Sequence, residues 1–343
     1  IQARLDTGAS CIYLPPPAKE YLVSKTLRIG SDQELRLDRY TRVRLAPKSN
    51  CPLVANRDWK NGNRNVAVTG GVWDFDNRSQ YPALWLEQHV GKPYATTQAL
   101  PAAAERPGKD CHGFGMDFRR VNGFALRSVT LRNPTTFGFR GERVSNFTVD
   151  DVTFDYETVN PVRACMDGIH FDGHCRRGRI TNLFGTCYDD LLALNADDGY
   201  RESPIMGPIE DIVVDGIFSE NCHSAARILT TGSPIRNITI RNVQATCTGG
   251  HGIIRLLNHD GIRMYNIIVR DVIDTSSGSD PRVQAAVRIQ RRRAWRNDVT
   301  GRRRRLGVLG KRCRILPPIT GTALVDARGQ DLGSGKVILG NGL

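Results

Sequence analysis

The chain has 343 residues, 40% of them hydrophobic, enough for a folded core, and no uninterrupted apolar run of membrane-spanning length. Its net charge of +13 is concentrated in residues 291–314, where ten Arg and one Lys face only Asp298, a local +10 that leaves +3 for the remainder. The fold surface is therefore not broadly basic, which argues against a nucleic-acid partner; neither nucleic acid nor membrane is expected to bind.

Residues 1–60 read as an entry region of alternating strands that caps and begins a repetitive body: Ile12-Tyr-Leu-Pro-Pro-Pro17, Lys25-Thr-Leu-Arg-Ile29 and Glu34-Leu-Arg-Leu37. Residues 61–290 form that body. Asn-apolar-x-apolar segments recur there as Asn65-Val-Ala-Val68, Asn146-Phe-Thr-Val149, Asp211-Ile-Val-Val214, Asn237-Ile-Thr-Ile240 and Asn266-Ile-Ile-Val269, the last three starting 26 and 29 residues apart. A second series accompanies them: Ala226-Arg-Ile-Leu229, Gly252-Ile-Ile-Arg-Leu256 and Ala286-Val-Arg-Ile289. These segments are short, rich in Val, Ile and Thr, and bounded by Gly, Asn and Asp, which marks strands. No window sustains an amphipathic helical pattern for three turns.

Repeats of this length stack as solenoids, and strand-forming ones coil into a parallel β-helix whose rungs satisfy one another's hydrogen bonds. The expected fold is all-β, a right-handed parallel β-helix forming a single domain over 1–343. Ile169, Leu192, Ile228, Ile254 and Val287 are expected at related positions along it. A loop over 77–113 interrupts the body, and long loops on solenoids commonly wall a binding groove. The Arg-rich segment 291–314 lacks the strand pattern and reads as a solvated insertion. Residues 315–343 supply final strands at Ala323-Leu-Val-Asp-Ala327 and Lys336-Val-Ile-Leu339.

Asp167 and the pair Asp189/Asp190 stand 22 and 23 residues apart, each just ahead of a short apolar strand. If one coil takes that many residues, the two clusters lie on neighbouring rungs about 4.8 Å apart. Carboxylates converging in this way suit acid–base chemistry on a sugar chain, an inverting acid and base lying roughly 6–10 Å apart with water between them. Arg227, Arg255 and Arg288 occupy equivalent places in the second series, and a column of guanidinium groups suits carboxylate recognition. Asp, Asn and Gly are equally at home in solenoid turns, so each acid also has a purely structural reading. Nine cysteines show no zinc-ligand spacing; a disulfide such as Cys165–Cys187 would suit a secreted protein.

Asn65-Val-Ala-Val-Thr-Gly-Gly-Val-Trp-Asp74, Met166-Asp-Gly-Ile169 and Asp189-Asp190 together resemble glycoside hydrolase family 28, the polygalacturonases and their relatives. The family's signature is Asn-Thr-Asp-Gly, an Asp-Asp pair, Gly-His-Gly and Arg-Ile-Lys. Here Cys-Met precedes Asp167-Gly168, and Arg288-Ile-Gln290 stands where the family has Arg-Ile-Lys. Gly250-His-Gly252 carries the histidine motif's letters, while His223 lies one repeat after the Asp pair, where that motif belongs.

The resemblance implies a glycoside hydrolase that cleaves a uronic-acid-containing, pectin-like polysaccharide with inversion. It makes Asp189 the general acid, Asp167 and Asp190 the groups that hold and deprotonate water, and His223 the residue that tunes the acid. His170, Arg227, His251, Arg255 and Arg288 are the candidate substrate ligands. The scheme needs no cofactor or metal, the partner is a polysaccharide or oligosaccharide, and the location is outside the cytoplasm, secreted or periplasmic. Two alternatives stay open at this point: a polysaccharide lyase using Ca²⁺ or a Lys or Arg base, and a carbohydrate-binding spike or adhesin without catalysis.

Overall fold

The structure is a computed structural model that describes residues 1–80, 113–158, 166–197, 206–248, 252–258, 264–276, 287–291, 313–316 and 336–339. Among these residues the strands make two sheets, one of 14 strands and one of nine. The smaller sheet runs Leu27–Ile29, Val54–Asn56, Met116–Arg119, Phe139–Glu142, Ile169–Asp172, Asp190–Asp197, Ser224–Thr230, Ile254–Asn258 and Val287–Arg291, in chain order and parallel throughout. Each return to this sheet passes through a strand of the larger one, so the chain winds as a right-handed parallel β-helix of nine rungs. Among the described residues no helix is long and apolar enough to cross a membrane.

The core arises from strand alternation. Met116, Phe139, Ile169, Leu192, Ala226, Ile254 and Val287 stack in register as one inward column of the small sheet, all fully buried or nearly so. Ile228, expected in that column, stands two residues further along, aligned with Leu194 and Leu256; Ala226 takes the place instead. Both columns face inward, so the period-2 pattern alone does not choose between them.

The recurrent Asn and Asp residues are the corners. Asn65, Asn146, Asp211, Asn237 and Asn266 all sit at φ between +50° and +59°, a left-handed conformation that Asn and Asp adopt more readily than other side chains. Their side chains also link rungs: Asn65 Nδ2 donates to Asp32 Oδ1 at 2.7 Å, Asn237 Nδ2 to Asp211 Oδ1 at 2.7 Å, and Asn266 Nδ2 to Asn237 Oδ1 at 3.0 Å. Asn237→Val forces a β-branched residue into this region and cuts the ladder. We expect it to cost about 1–3 kcal/mol in urea unfolding.

Three features depart from the expected elements. A short helix, Gln2–Leu5, lies in the entry region and buries Leu5. Cys313–Leu316, at the end of the Arg-rich segment, is a strand. It pairs antiparallel with Lys336–Leu339, which in turn pairs antiparallel with Met264–Asp274. Ala323 to Ala327, most of the loop over 77–113 and Cys165 lie outside the described residues. Cys175, Cys187, Cys222 and Cys247 are buried free thiols.

Candidate active site

Asp167, the Asp189/Asp190 pair and His223 each stand at the entrance to a strand of the small sheet, on three successive rungs. Backbone bonds fix them there: Gly168 N–H donates to Asp190 O at 3.0 Å, and His223 N–H to Asp189 O at 2.9 Å. Gly168 is required for the close approach, because a Cβ there would lie 2.5 Å from Leu191 O and 2.7 Å from the Phe154 ring. The Asp-Gly dipeptide thus joins a candidate catalytic side chain to a place where two coils nearly touch.

Asp167 Oδ2 accepts a hydrogen bond from His170 Nδ1 at 2.6 Å, and its Oδ1 receives the Asp190 N–H at 3.4 Å. Arg227 donates through Nε to Asp190 Oδ2 and places Nη2 3.7 Å from Asp167 Oδ2. Asp189 Oδ1 meets His223 Nδ1 at 3.1 Å. The acids divide by depth: Asp167 and Asp190 are 1% and 2% exposed, whereas the Asp189 and His223 side chains are 19% and 32% exposed. A single open face carrying all three acids is therefore not what forms. Asp189 and His223 reach solvent, with Asp167 and Asp190 beneath them.

Burial, then the charge of Asp189, pushes the Asp167 carboxyl up to about 6, against the pull of the His170 hydrogen bond. Burial works to lower the His223 pKa, but the bond to Asp189 and the charges of Asp189 and Asp190 leave it raised. Asp167 is therefore protonated only below about 6, and a carboxyl perturbed by burial beside other charges marks a candidate site for acid–base chemistry.

No family model and no curated protein sequence matches the chain. Solved structures do. The family 28 exopolygalacturonase of Yersinia enterocolitica superposes with a TM-score of 0.56 at 16% identity, covering 85% of this chain and 62% of that one. The polygalacturonase of Erwinia carotovora gives 0.56 at 16%, covering 84% and 80%. The exopolygalacturonase of Thermotoga maritima gives 0.52 at 15%, covering 87% and 71%. The fold is the polygalacturonase-like parallel β-helix.

In this polygalacturonase-like coil the outward column next to the acids reads Asp117, Arg140, His170, Ala193, Arg227, Arg255 and Arg288, all in register. The three arginines expected as one column are thus aligned along the backbone, but their surroundings differ. Arg227, 15% exposed, is engaged by Asp190 and fixes that carboxylate rather than facing outward. Arg255 is half-buried beside His223, whose protonation its charge opposes. For Arg288 only the strand position is described, and His251 lies outside the described residues.

His170, expected against substrate, is 2% exposed. Its ring lies on Phe137 with centroids 4.1 Å apart and planes 7° from parallel, and Nε2 is 3.3 Å from Asp172 Oδ1, out of line for a hydrogen bond. It positions Asp167. Behind it is a network that sequence reasoning missed: buried Arg140 donates to Asp172 at 2.7 Å and to Glu142 at 3.1 Å, and reaches Asp117 at 3.4 Å. The only signal was the alternation of charged with apolar residues in Phe139-Arg-Gly-Glu142 and Ile169-His-Phe-Asp172.

Donor atoms of Asp189, Asp190 and His223 lie within 4.8 Å of one another, a set that suits a hard cation, although Asp190 already receives the Arg227 charge. The same closeness puts Asp189 and Asp190 nearer than the roughly 6–10 Å expected for an acid and base flanking water. The spacing expected of an acid and base is therefore not formed by this pair.

Proposed function

We propose that the chain is a glycoside hydrolase that cleaves a uronic-acid-containing, pectin-like polysaccharide with inversion, outside the cytoplasm. The observation that carries this reading is the convergence of three carboxylates from two rungs, one of them titrating near 6, beside a register column of arginines. Asp189, the most exposed acid, gives its proton to the glycosidic oxygen as the bond from the anomeric carbon breaks. A water held by Asp167 and Asp190 loses a proton to the buried pair and attacks that carbon. Arg255 and Arg288 meet uronate carboxylates along the column. His223 keeps the Asp189 carboxyl oriented and polarised. No step uses a metal, and chelation should leave the rate unchanged.

The pH sign comes from the raised carboxyl. Asp167 must be ionised to hold and deprotonate the water, and its carboxyl is pushed up to about 6, so kcat/KM on polygalacturonate should fall about tenfold per pH unit below that value. Products should carry saturated ends and initially inverted anomers, read by proton NMR. Arg255→Ala should raise KM for the acidic chain about tenfold, the worth of one charge-assisted pair. Unsaturated ends would give the site to a lyase. Binding without turnover on any pectic, algal or bacterial polysaccharide would make the protein a spike.

A further inference from the structure

We propose a second carbohydrate site on the large sheet, a groove for a neutral polysaccharide chain on a different sheet from the candidate active site. It does not depend on the hydrolase reading.

The long strands of this sheet bend midway at left-handed residues: Asp151, Asn182, Gly216, Asn242 and Asp271, with φ from +54° to +90°. Because these corners align rung on rung, the bends together fold the sheet into a trough of about 790 Å³. It crosses the strands from Ser145–Asp155 to Met264–Asp274, five rungs, or about 19 Å at the usual strand spacing. A polymer lying along the coil axis would span several sugar units.

The lining matches the two kinds of surface a pyranose presents. Phe218 is 41% exposed in the trough and stacks on Phe184, 36% exposed, with centroids 5.5 Å apart and planes 12° from parallel. Ring C–H faces of a sugar pack on such aromatics, and the exposed pair leaves apolar area in water that a ligand would cover. Around them lie groups for hydroxyls. Arg179 and Gln244 are exposed and make no side-chain hydrogen bond among the described residues, so their donors point to solvent in the trough. Asp150 and Asp215 are held in place, the first by Thr181 and Asn182, the second by Arg241 and Asn242.

Charge selects the kind of chain. Asp215 is neutralised by Arg241 at 2.6 Å and Asp271 by Arg270 at 2.5 Å, and the charges left in the lining are one acid, Asp150, and one base, Arg179, whose field also reaches Asp215. The trough therefore has little net field to draw in a polyanion, unlike the arginine column on the other sheet. A neutral, hydroxyl-rich polymer fits both the aromatic pair and the balanced charges.

The test is retention of the full chain by cellulose, xylan and galactomannan in pull-down and affinity electrophoresis, with polygalacturonate as the acidic comparison. We expect at least one neutral polymer to retain the protein. Phe218→Ala should weaken that retention about tenfold, the scale of one lost aromatic contact. Gln244→Ala, an exposed change that leaves the core alone, serves as the second variant should Phe218→Ala fold poorly. Retention should be untouched by Asp189→Asn, and turnover of short soluble substrates untouched by Phe218→Ala, so this site and the catalytic reading fail separately. The proposal is overturned if no neutral polymer retains the protein, or if both trough variants bind as the parent does. It is also overturned if sedimentation shows a dimer that Phe218→Ala dissociates, which would assign the face to a second copy.

Discussion

Asp189→Asn is expected to lower turnover at least about a hundredfold while the coil and its grip on substrate persist. The amide keeps the size of the carboxyl and can still meet His223 Nδ1, now 3.1 Å from Asp189 Oδ1, but it has no transferable proton. Neither buried acid can substitute: Asp167 is enclosed by His170 and Arg227, and Asp190 is bonded to Arg227. Binding persists because Arg255 and Arg288, the proposed uronate ligands, are unchanged. Initial rates and pull-down on polygalacturonate check both halves. Full activity in this variant would move the chemistry away from this corner.

Arg140→Met should be the most destabilising of these changes, by about 3–5 kcal/mol in urea unfolding. It leaves the buried Asp117, Asp172 and Glu142 carboxylates without the guanidinium that now serves all three. Methionine fills much the same volume, so the loss reads charge rather than packing. The pH dependence distinguishes this cause from a cavity. Asp117 keeps Arg119 at 2.6 Å, but buried carboxyls deprived of a cation titrate higher than with it, so the folded variant binds protons more tightly than the parent, and its deficit should shrink as pH falls through the carboxylate range. A deficit that ignores pH would mean that Arg140 acts by packing alone. The change should also lower activity, since Asp172 lies against the His170 that holds Asp167.

The solenoid was legible because its corners are chemically distinctive. Asn65, Asn146, Asp211, Asn237 and Asn266 repeat before apolar runs for a backbone reason, the left-handed φ each adopts. Asp167, Asp189, Asp190 and His223 were legible for the same reason: they flank strands that read clearly, and one coil's length brings them together. Depth was not legible. Whether an outward side chain is buried depends on what lies across it, and strand alternation marks only in or out. His170 therefore read as a substrate ligand although it is enclosed, and Arg227 read as an open guanidinium although Asp190 takes it. Arg140 escaped notice because its partners, Asp117 and Asp172, are 23 and 32 residues away and meet it only through register.

The acids and His223 come from three successive turns of the coil, while Arg255 and Arg288 come from the next two in the same column. Chemistry and reach are thereby encoded in different stretches of chain. Duplicating or deleting one whole turn beyond Asn258 would lengthen or shorten the row of proposed sugar-binding positions without moving the candidate acids. A one-residue insertion between Asp167 and Asp189 would throw the acids out of step. On the proposed hydrolase reading such a molecule would work as a ruler with a blade at a fixed mark: its preferred oligomer length could drift in evolution by whole divisions, while the cut stayed where it is.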